Sequence, residues 1–316
     1  MILDNVTDLT ARLWEYFREL DIDYLSWVLW VIYPVIISFI LPAIILVFLY
    51  ASALFLVIFH YRERLRAAYQ HDIWDGARKT LAALWSGQGF VTHGFEIDGL
   101  DNLPEEGPAL IIYYHGVVPI DIYYVMAKCL LEKGRLIHAV GDNFLFRIPG
   151  WRKMMEVLNV TPGTVQSCVD VLSRDNLLAI APGGVREALF SDENYSIMWG
   201  KRTGFAKVAL QANVPVIPMF TENVREAFRT PQWGRTLLRR LYEYTRLPIV
   251  PIYGIFPVKL VTHFGEPIYP EPGSTPEDFR DLVQTQLEDL IRKHQRLPSN
   301  IPRSLFQRFW EKPKNS

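Results

Sequence analysis

A chain of 316 residues is long enough for one large domain or two small ones, and with 50% hydrophobic and 21% charged residues it lies outside the disordered class. A formal net charge of −1 lacks the basic excess expected of a nucleic-acid binder. Two cysteines, Cys129 and Cys168, cannot build a disulfide framework and are expected as buried free thiols, and the seven histidines are scattered without metal-ligand spacing, so no metal is expected.

The chain opens on an acidic segment, residues 1–24, in which Asp4, Asp8, Glu15, Glu19, Asp21 and Asp23 outnumber Arg12 and Arg18. From Leu25 to Phe59 no residue is charged. A single spanning helix needs roughly 20 apolar residues, so residues 25–60 predict a membrane segment. Two arrangements fit: one long kinked span, or a hairpin bent near Pro34 or Pro42, where proline removes a helix hydrogen bond. The basic cluster Arg62, Arg64 and Arg66 follows at once, which by the positive-inside rule puts everything downstream in the cytosol. The sequon Asn5-Val6-Thr7 reports glycosylation only for a luminal N-terminus.

Residues 61–94 read as a linker or interfacial helix, with Trp74 and Trp85 on an amphipathic or interfacial surface. From Phe95 to about residue 298 short apolar strands alternate with helices: strands at Ala109–Tyr114, Leu136–Val140, Leu177–Ala181, Val214–Phe220 and Val258–Phe264, helices at Ile120–Glu132, Val165–Ser173 and Gly204–Ala212. That alternation predicts an α/β domain with a mostly parallel central sheet. Thr275-Pro276 opens a further helix as N-cap and first helical residue, and Phe279, Leu282, Val283, Leu287, Leu290 and Ile291 give it an apolar face. A basic stretch, Arg235, Arg239, Arg240 and Arg246, is interleaved with Leu237, Leu238, Leu241 and Tyr242; it reads as a solvated face or as a site for lipid headgroups or the phosphates of a cofactor. The tail, residues 299–316, is basic and aromatic and either packs on the domain or lies on a membrane surface.

Within the strand-turn-helix of residues 111–124, IIYYHGVVPIDIYY, two ionisable residues sit in an apolar run. Gly116 and Pro119 place His115 at a strand end and Asp121 in the first turn of the helix that follows. Asp121 is then expected to reach back to the imidazole, fix its tautomer and leave the other ring nitrogen free as a general base.

Three further stretches follow in order: Gly141-Asp142-Asn143-Phe144-Leu145-Phe146-Arg147-Ile148-Pro149-Gly150, then Ala181-Pro182-Gly183-Gly184-Val185-Arg186-Glu187-Ala188-Leu189, then Gly204–Ala209 leading into Val214–Phe220. With His115 and Asp121 they resemble the four sequence blocks of the PlsC-type glycerolipid acyltransferases, over roughly residues 95–270. The resemblance implies direct transfer of an acyl chain from acyl-CoA, a co-substrate rather than a bound cofactor, to a lipid hydroxyl. His115 is then the base and Asp121 its orienting partner. No enzyme nucleophile is implied, and no G-x-S-x-G elbow is present. Gly183 and Gly184 offer backbone N–H groups to the oxyanion. Arg186 is a candidate for the acceptor or the phosphates of coenzyme A. Pro182 and Phe144 line substrate, Arg147 contacts it, and Glu187 is expected either in the acceptor site or paired with Arg186 or Arg202.

Two departures from the family pattern stand out. Five residues rather than four separate His115 from Asp121, and the third block reads P-G-G-V-R where phosphate-acceptor enzymes have P-E-G-T-R. Its Gly-Gly pair and Glu-Ala-Leu resemble the neutral-lipid branch of type-2 diacylglycerol and monoacylglycerol acyltransferases. The expectation is therefore a triacylglycerol-forming enzyme of the endoplasmic reticulum membrane, facing the cytosol, whose partners are membrane lipids and acyl-CoA. A lysophospholipid acyltransferase and a non-catalytic lipid-binding scaffold are the alternatives.

Overall fold

Five apolar residues in a row with no polar alternation, Ala109–Tyr113, call for a strand covered on both faces. They form β2, buried at every position. The computed structural model describes residues 24–64, 74–231, 233–245 and 247–310, together with Glu15. Around β2 a seven-stranded sheet assembles from β1 (Glu96–Asp98), β3 (Ile137–Gly141), β4 (Val160–Pro162), β5 (Leu177–Ile180), β6 (Val216–Thr221) and β9 (Val261–Phe264), in the order β1-β9-β6-β2-β5-β3-β4. From β6 to β4 every pairing is parallel; β9 runs antiparallel to β6 and carries β1 alongside it.

Alternate residues of β2 bury into two helical layers. Ala109, Ile111 and Tyr113 face α2 (Asp75–His93) and α3 (Ile120–Glu132). Leu110, Ile112 and Tyr114 face α5 (Val165–Leu172), α7 (Gly204–Ala212) and α10 (Pro276–His294). The period of two in the strand thus fixes which helices lie above and below. The cap signal at Thr275 is realised: its hydroxyl accepts from the Asp278 N–H at 3.1 Å. Cys129 and Cys168 are buried free thiols, and burial pushes the Cys129 thiol up to about 11.

The apolar run is one continuous 41-residue helix, α1 (Tyr24–Arg64), that keeps Pro34 and Pro42 within it, so the hairpin alternative is not formed. Its two halves differ. Trp27, Trp30 and most side chains to Ile40 are exposed, while Ile45, Ser52, Ala53 and Leu56 bury against the domain. Phe48 meets Trp85 edge to face at 4.8 Å, and Tyr50 meets Trp151 of α4 (Trp151–Val157) at 6.0 Å. Trp85, expected at an interfacial surface, is instead a core residue wedged between α1 and the Tyr123–Tyr124 pair of α3. The cause is the docked half of α1, an apolar surface that needs an apolar partner. The sequon, most of the acidic segment and Arg66 lie outside the described residues.

The tail helix α11 (Ile301–Trp310) packs on the domain. Ser304 is buried, bonded to Asn223 at 3.0 Å, and Arg308 donates to the carbonyls of Val91, Thr92 and Pro257, while Phe306, Phe309 and Trp310 stay exposed.

Candidate active site

In a parallel sheet, ligands gather at the carboxyl ends of the strands. β2, β3 and β5 deliver the first three motifs to that edge: His115 after β2, Phe144 and Arg147 after β3, Pro182 to Glu187 after β5.

His115 is anchored at both ends of its own residue. Its main-chain N–H donates to Glu187 Oε1 at 3.0 Å, and its Nδ1 lies 2.7 Å from the Gly116 carbonyl. A carbonyl only accepts, so Nδ1 carries the proton and Nε2 keeps its lone pair. Burial, opposed by the Gly116 carbonyl and reinforced by the Arg225 charge, holds the imidazole below its ordinary value, so it is neutral at pH 7. Tyr113 stacks on it at 6.3 Å.

Asp121 sits in the first turn of α3 and is 1% exposed. The expected carboxylate–imidazole hydrogen bond is not formed: Nδ1 is taken by Gly116, and Asp121 Oδ1 is buried with no partner among the described residues. The physical reason lies in the extra residue. Val117 and Val118 fold inward into the core and Ile120 N–H closes a turn on the Val118 carbonyl at 2.8 Å, which sets the helix start apart from the strand end. Burial pushes the Asp121 carboxyl up to about 6, against the stabilising effect of the Thr221 hydroxyl and the helix-start N–H groups.

Glu187 does not pair with Arg186 or Arg202 as expected. It is fully buried in α6 (Gly184–Phe190), where Oε1 accepts from His115 N–H and Oε2 from Met198 N–H at 2.9 Å. Burial pushes it up to about 7, with both N–H groups and then Arg225 and Arg202 pulling the other way. Its role is to hold the main chain that carries the base. Gly183 is required for this: a Cβ there would lie 2.3 Å from the Glu187 carboxyl carbon. Gly184, at φ +52°, turns the chain into α6, and its N–H is already given to the Ala181 carbonyl at 3.0 Å. Of the two expected oxyanion donors, Gly183 N–H is the one left without a partner among the described residues.

Arg202 Nη1 ties down the turn by donating to the Pro182 and Gly183 carbonyls at 2.8 and 2.9 Å. Pro182 and Arg202 also line a cleft of about 310 Å³ with Val140, Thr164, Cys168 and Phe205. Arg186 faces Glu243 at 3.9 Å, and Arg147 is exposed on its 3-10 turn. The neighbours of Arg147, Leu145, Phe146 and Ile148, pack against the docked half of α1.

Sequence reasoning missed the layer beneath His115. Arg225, 5% exposed, donates to Tyr114 Oη at 3.4 Å and to the carbonyls of Ala188 and Ser191 at 3.3 and 2.7 Å, and Tyr114 Oη donates to Ser191 Oγ at 2.6 Å. This network joins the end of β2 to the end of α6. The only hint in the sequence was a charged run, Glu222 to Glu226, following directly on a strand.

The scattered histidines also concealed a cluster. Glu222, His263 and His294 bring their ligand atoms within 4.8 Å of one another. His263 is held between Asp98 at 3.0 Å and Glu222 at 2.7 Å and stacks on His294 at 3.6 Å. The hydrogen bonds tie His263 of β9 to Asp98 of β1 and to Glu222 beyond β6, and His294, the last residue of α10, joins them by ring stacking.

Comparison with known proteins decides the family. Residues 94–222 match the acyltransferase family model. The chain is 49% identical over 299 residues to a Homo sapiens protein named "DGAT1/2-independent enzyme synthesizing storage lipids", spanning 94% of this chain and 91% of the relative. The chain belongs to this acyltransferase family. Similarly named proteins of Bos taurus (49% identical, 92% of this chain, 87% of the relative) and Gallus gallus (48%, 92% and 89%) align comparably. A likeness of fold extends to the crystal structure of the 1-acyl-sn-glycerophosphate acyltransferase PlsC from Thermotoga maritima, at TM-score 0.51 and 16% identity, covering 78% of this chain and 96% of that one.

Proposed function

We propose that the chain is a membrane-anchored acyl-CoA:glycerolipid O-acyltransferase that acylates diacylglycerol to triacylglycerol, or monoacylglycerol to diacylglycerol and then to triacylglycerol. The observation that carries the chemistry is His115: neutral, its Nδ1 proton tied to a carbonyl, its Nε2 unpaired at the end of the central strand. In this reading Nε2 takes the proton of the acceptor hydroxyl as its oxygen attacks the thioester carbonyl. Gly183 N–H meets the oxyanion that forms. Collapse expels the thiolate of coenzyme A, which recovers the proton from the imidazolium. The unpaired Asp121 Oδ1 is then the group toward which Nδ1 turns once the imidazolium forms, because an ionised carboxylate is a stronger acceptor than a carbonyl.

The third block supports a neutral acceptor, since Gly183 and Val185 stand where phosphate-acceptor enzymes carry Glu and Thr. The name carried by the relatives points the same way. α1 supports the membrane: its apolar stretch Leu25–His60 has the length and composition of a span. The endoplasmic reticulum and a cytosolic active site complete the proposal, on the basic residues that follow the span.

The test is acylation in membranes expressing the wild type or His115→Ala, given labelled oleoyl-CoA with diacylglycerol, monoacylglycerol or lysophosphatidate in parallel. Label in triacylglycerol that disappears in the variant is the expected result. Label only in phosphatidate would overturn the acceptor assignment, and equal activity of the two proteins would overturn the role of His115.

A further inference from the structure

The helix α9 (Arg235–Thr245) carries its apolar residues on the wrong side for a helix that meets only water. Leu237, Leu241 and Tyr244 follow one another at four- and three-residue steps and so form one stripe, and Trp233 lies just before the helix. All four are exposed, Leu237 to 71% and Tyr244 to 90%. Leu247 and Ile249, beyond the helix end, are exposed as well. The opposite face is already used: Tyr242 is buried and packs with Leu238 against Leu189, Phe190 and Val250.

Position along α1 says what lies against the stripe. The chain leaving α9 reaches Tyr253 of β8 (Tyr253–Gly254), whose ring meets Phe39 of α1 at 5.7 Å. At the other end of the docked half, His60 of α1 stacks on Trp74 at 5.2 Å. Those two contacts stand about 31 Å apart at 1.5 Å per helical residue. Tyr253, eight residues beyond the end of α9, is therefore at the end of the domain nearest the exposed half of α1. Arg235 is turned inward onto the Phe190 and Ser191 carbonyls, and on the exposed face Arg239 and Arg240 outnumber the single acid Glu243, a basic excess that complements anionic headgroups.

We infer that α9 is an interfacial helix that seats its Leu237–Tyr244 stripe in the headgroup–acyl boundary of the leaflet that α1 enters. The inference rests on the membrane reading of α1. Its consequence runs to the site. Phe190 of α6 packs on Tyr242 at 5.7 Å, and Arg186 of α6 faces Glu243. Lipid contact by α9 thus sets the third motif at the surface where a diacylglycerol hydroxyl resides.

The experiment uses the full chain in phosphatidylcholine–phosphatidylserine vesicles, with a bimane label on Leu237→Cys, Tyr244→Cys or, on the span, Ile36→Cys. Cys129 and Cys168 are buried, so labelling is selective. Lipids bearing a doxyl quencher just below the headgroup are expected to extinguish most of the fluorescence at 237 and 244, and aqueous iodide little of it. If iodide quenches 237 and 244 while doxyl lipid quenches 36, α9 faces water and the inference is overturned. Labels at 237 and 244 shielded from both quenchers would mean that protein covers the stripe, which also overturns it. If 36 escapes doxyl lipid as well, the membrane reading of α1 has failed instead.

Discussion

Two histidines of the central sheet, His115 just beyond β2 and His263 within β9, with β6 between the two strands, have opposite surroundings. His263 on β9 meets a carboxylate at each ring nitrogen, Asp98 and Glu222, so both positions are saturated. His115 beyond β2 has one nitrogen tied to a backbone carbonyl and the other unpaired among the described residues. A saturated imidazole holds structure together; a half-saturated, desolvated one retains a lone pair to use on a substrate. The histidines themselves are the same residue, so their neighbours assign the roles.

The widest separation should come from deleting each ring. His115→Ala is expected to lower kcat by about 10²- to 10⁴-fold with little change in melting temperature. His263→Ala is expected to keep the specific activity of the folded protein and to cost about 1–3 kcal/mol of stability, as Glu222 and Asp98 lose their donor. Activity and thermal unfolding of both variants check this; equal behaviour would erase the distinction.

Next comes the anchor of the reactive ring. Glu187→Gln leaves one acceptor oxygen where two N–H groups, from His115 and Met198, now bond. One of them is orphaned at a cost of about 1–3 kcal/mol. The base loses its fixed position, so a fall in kcat with an unchanged KM is the expected signature.

A third test uses pH. Asp121 titrates near 6 in the fold against about 3.9 when unfolded. Between those values the folded protein binds a proton that the unfolded chain has released. The stability this provides is complete below about pH 4 and is lost as pH rises through 6, a change of roughly 3 kcal/mol. Asp121→Asn should flatten that dependence and be the more stable protein at pH 8, measured by unfolding across pH 4–8. Its activity should fall, and the acid limb of kcat/KM near pH 6 should vanish with it. The smallest effect belongs to Arg147→Ala. This side chain is exposed, and a stability change within about 0.5 kcal/mol is expected. A large rise in the acceptor KM would bring Arg147 into the site after all.

Local signals in the sequence were dependable where chemistry is local. The unbroken apolar run of β2, the Thr275 cap and the order of the four motifs carried the sheet and its functional edge. What failed needed distant contacts. The His115–Asp121 bond depends on whether Val117 and Val118 point into the core, and Glu187 finds its partner in His115, 72 positions away in the chain. Trp85 is buried only because half of α1 lies on it, and Pro34 and Pro42 fit a straight helix or a bend equally well until that docking is known. Arg225 is invisible for the same reason, since its partners Tyr114, Ala188 and Ser191 come from elsewhere in the chain.

The unbroken course of α1 also has a mechanical meaning. A hinged anchor would let the domain swing like a tethered buoy and sample every tilt. Here one helix is both the exposed apolar rod and, over Ile45–Leu56, a beam built into the core. The domain is mounted as on a post, with its height and compass bearing locked together. A residue inserted between the two halves would raise the domain by about 1.5 Å and turn it by about 100°. On the membrane reading proposed above, that coupling holds the cleft at one fixed attitude to the bilayer.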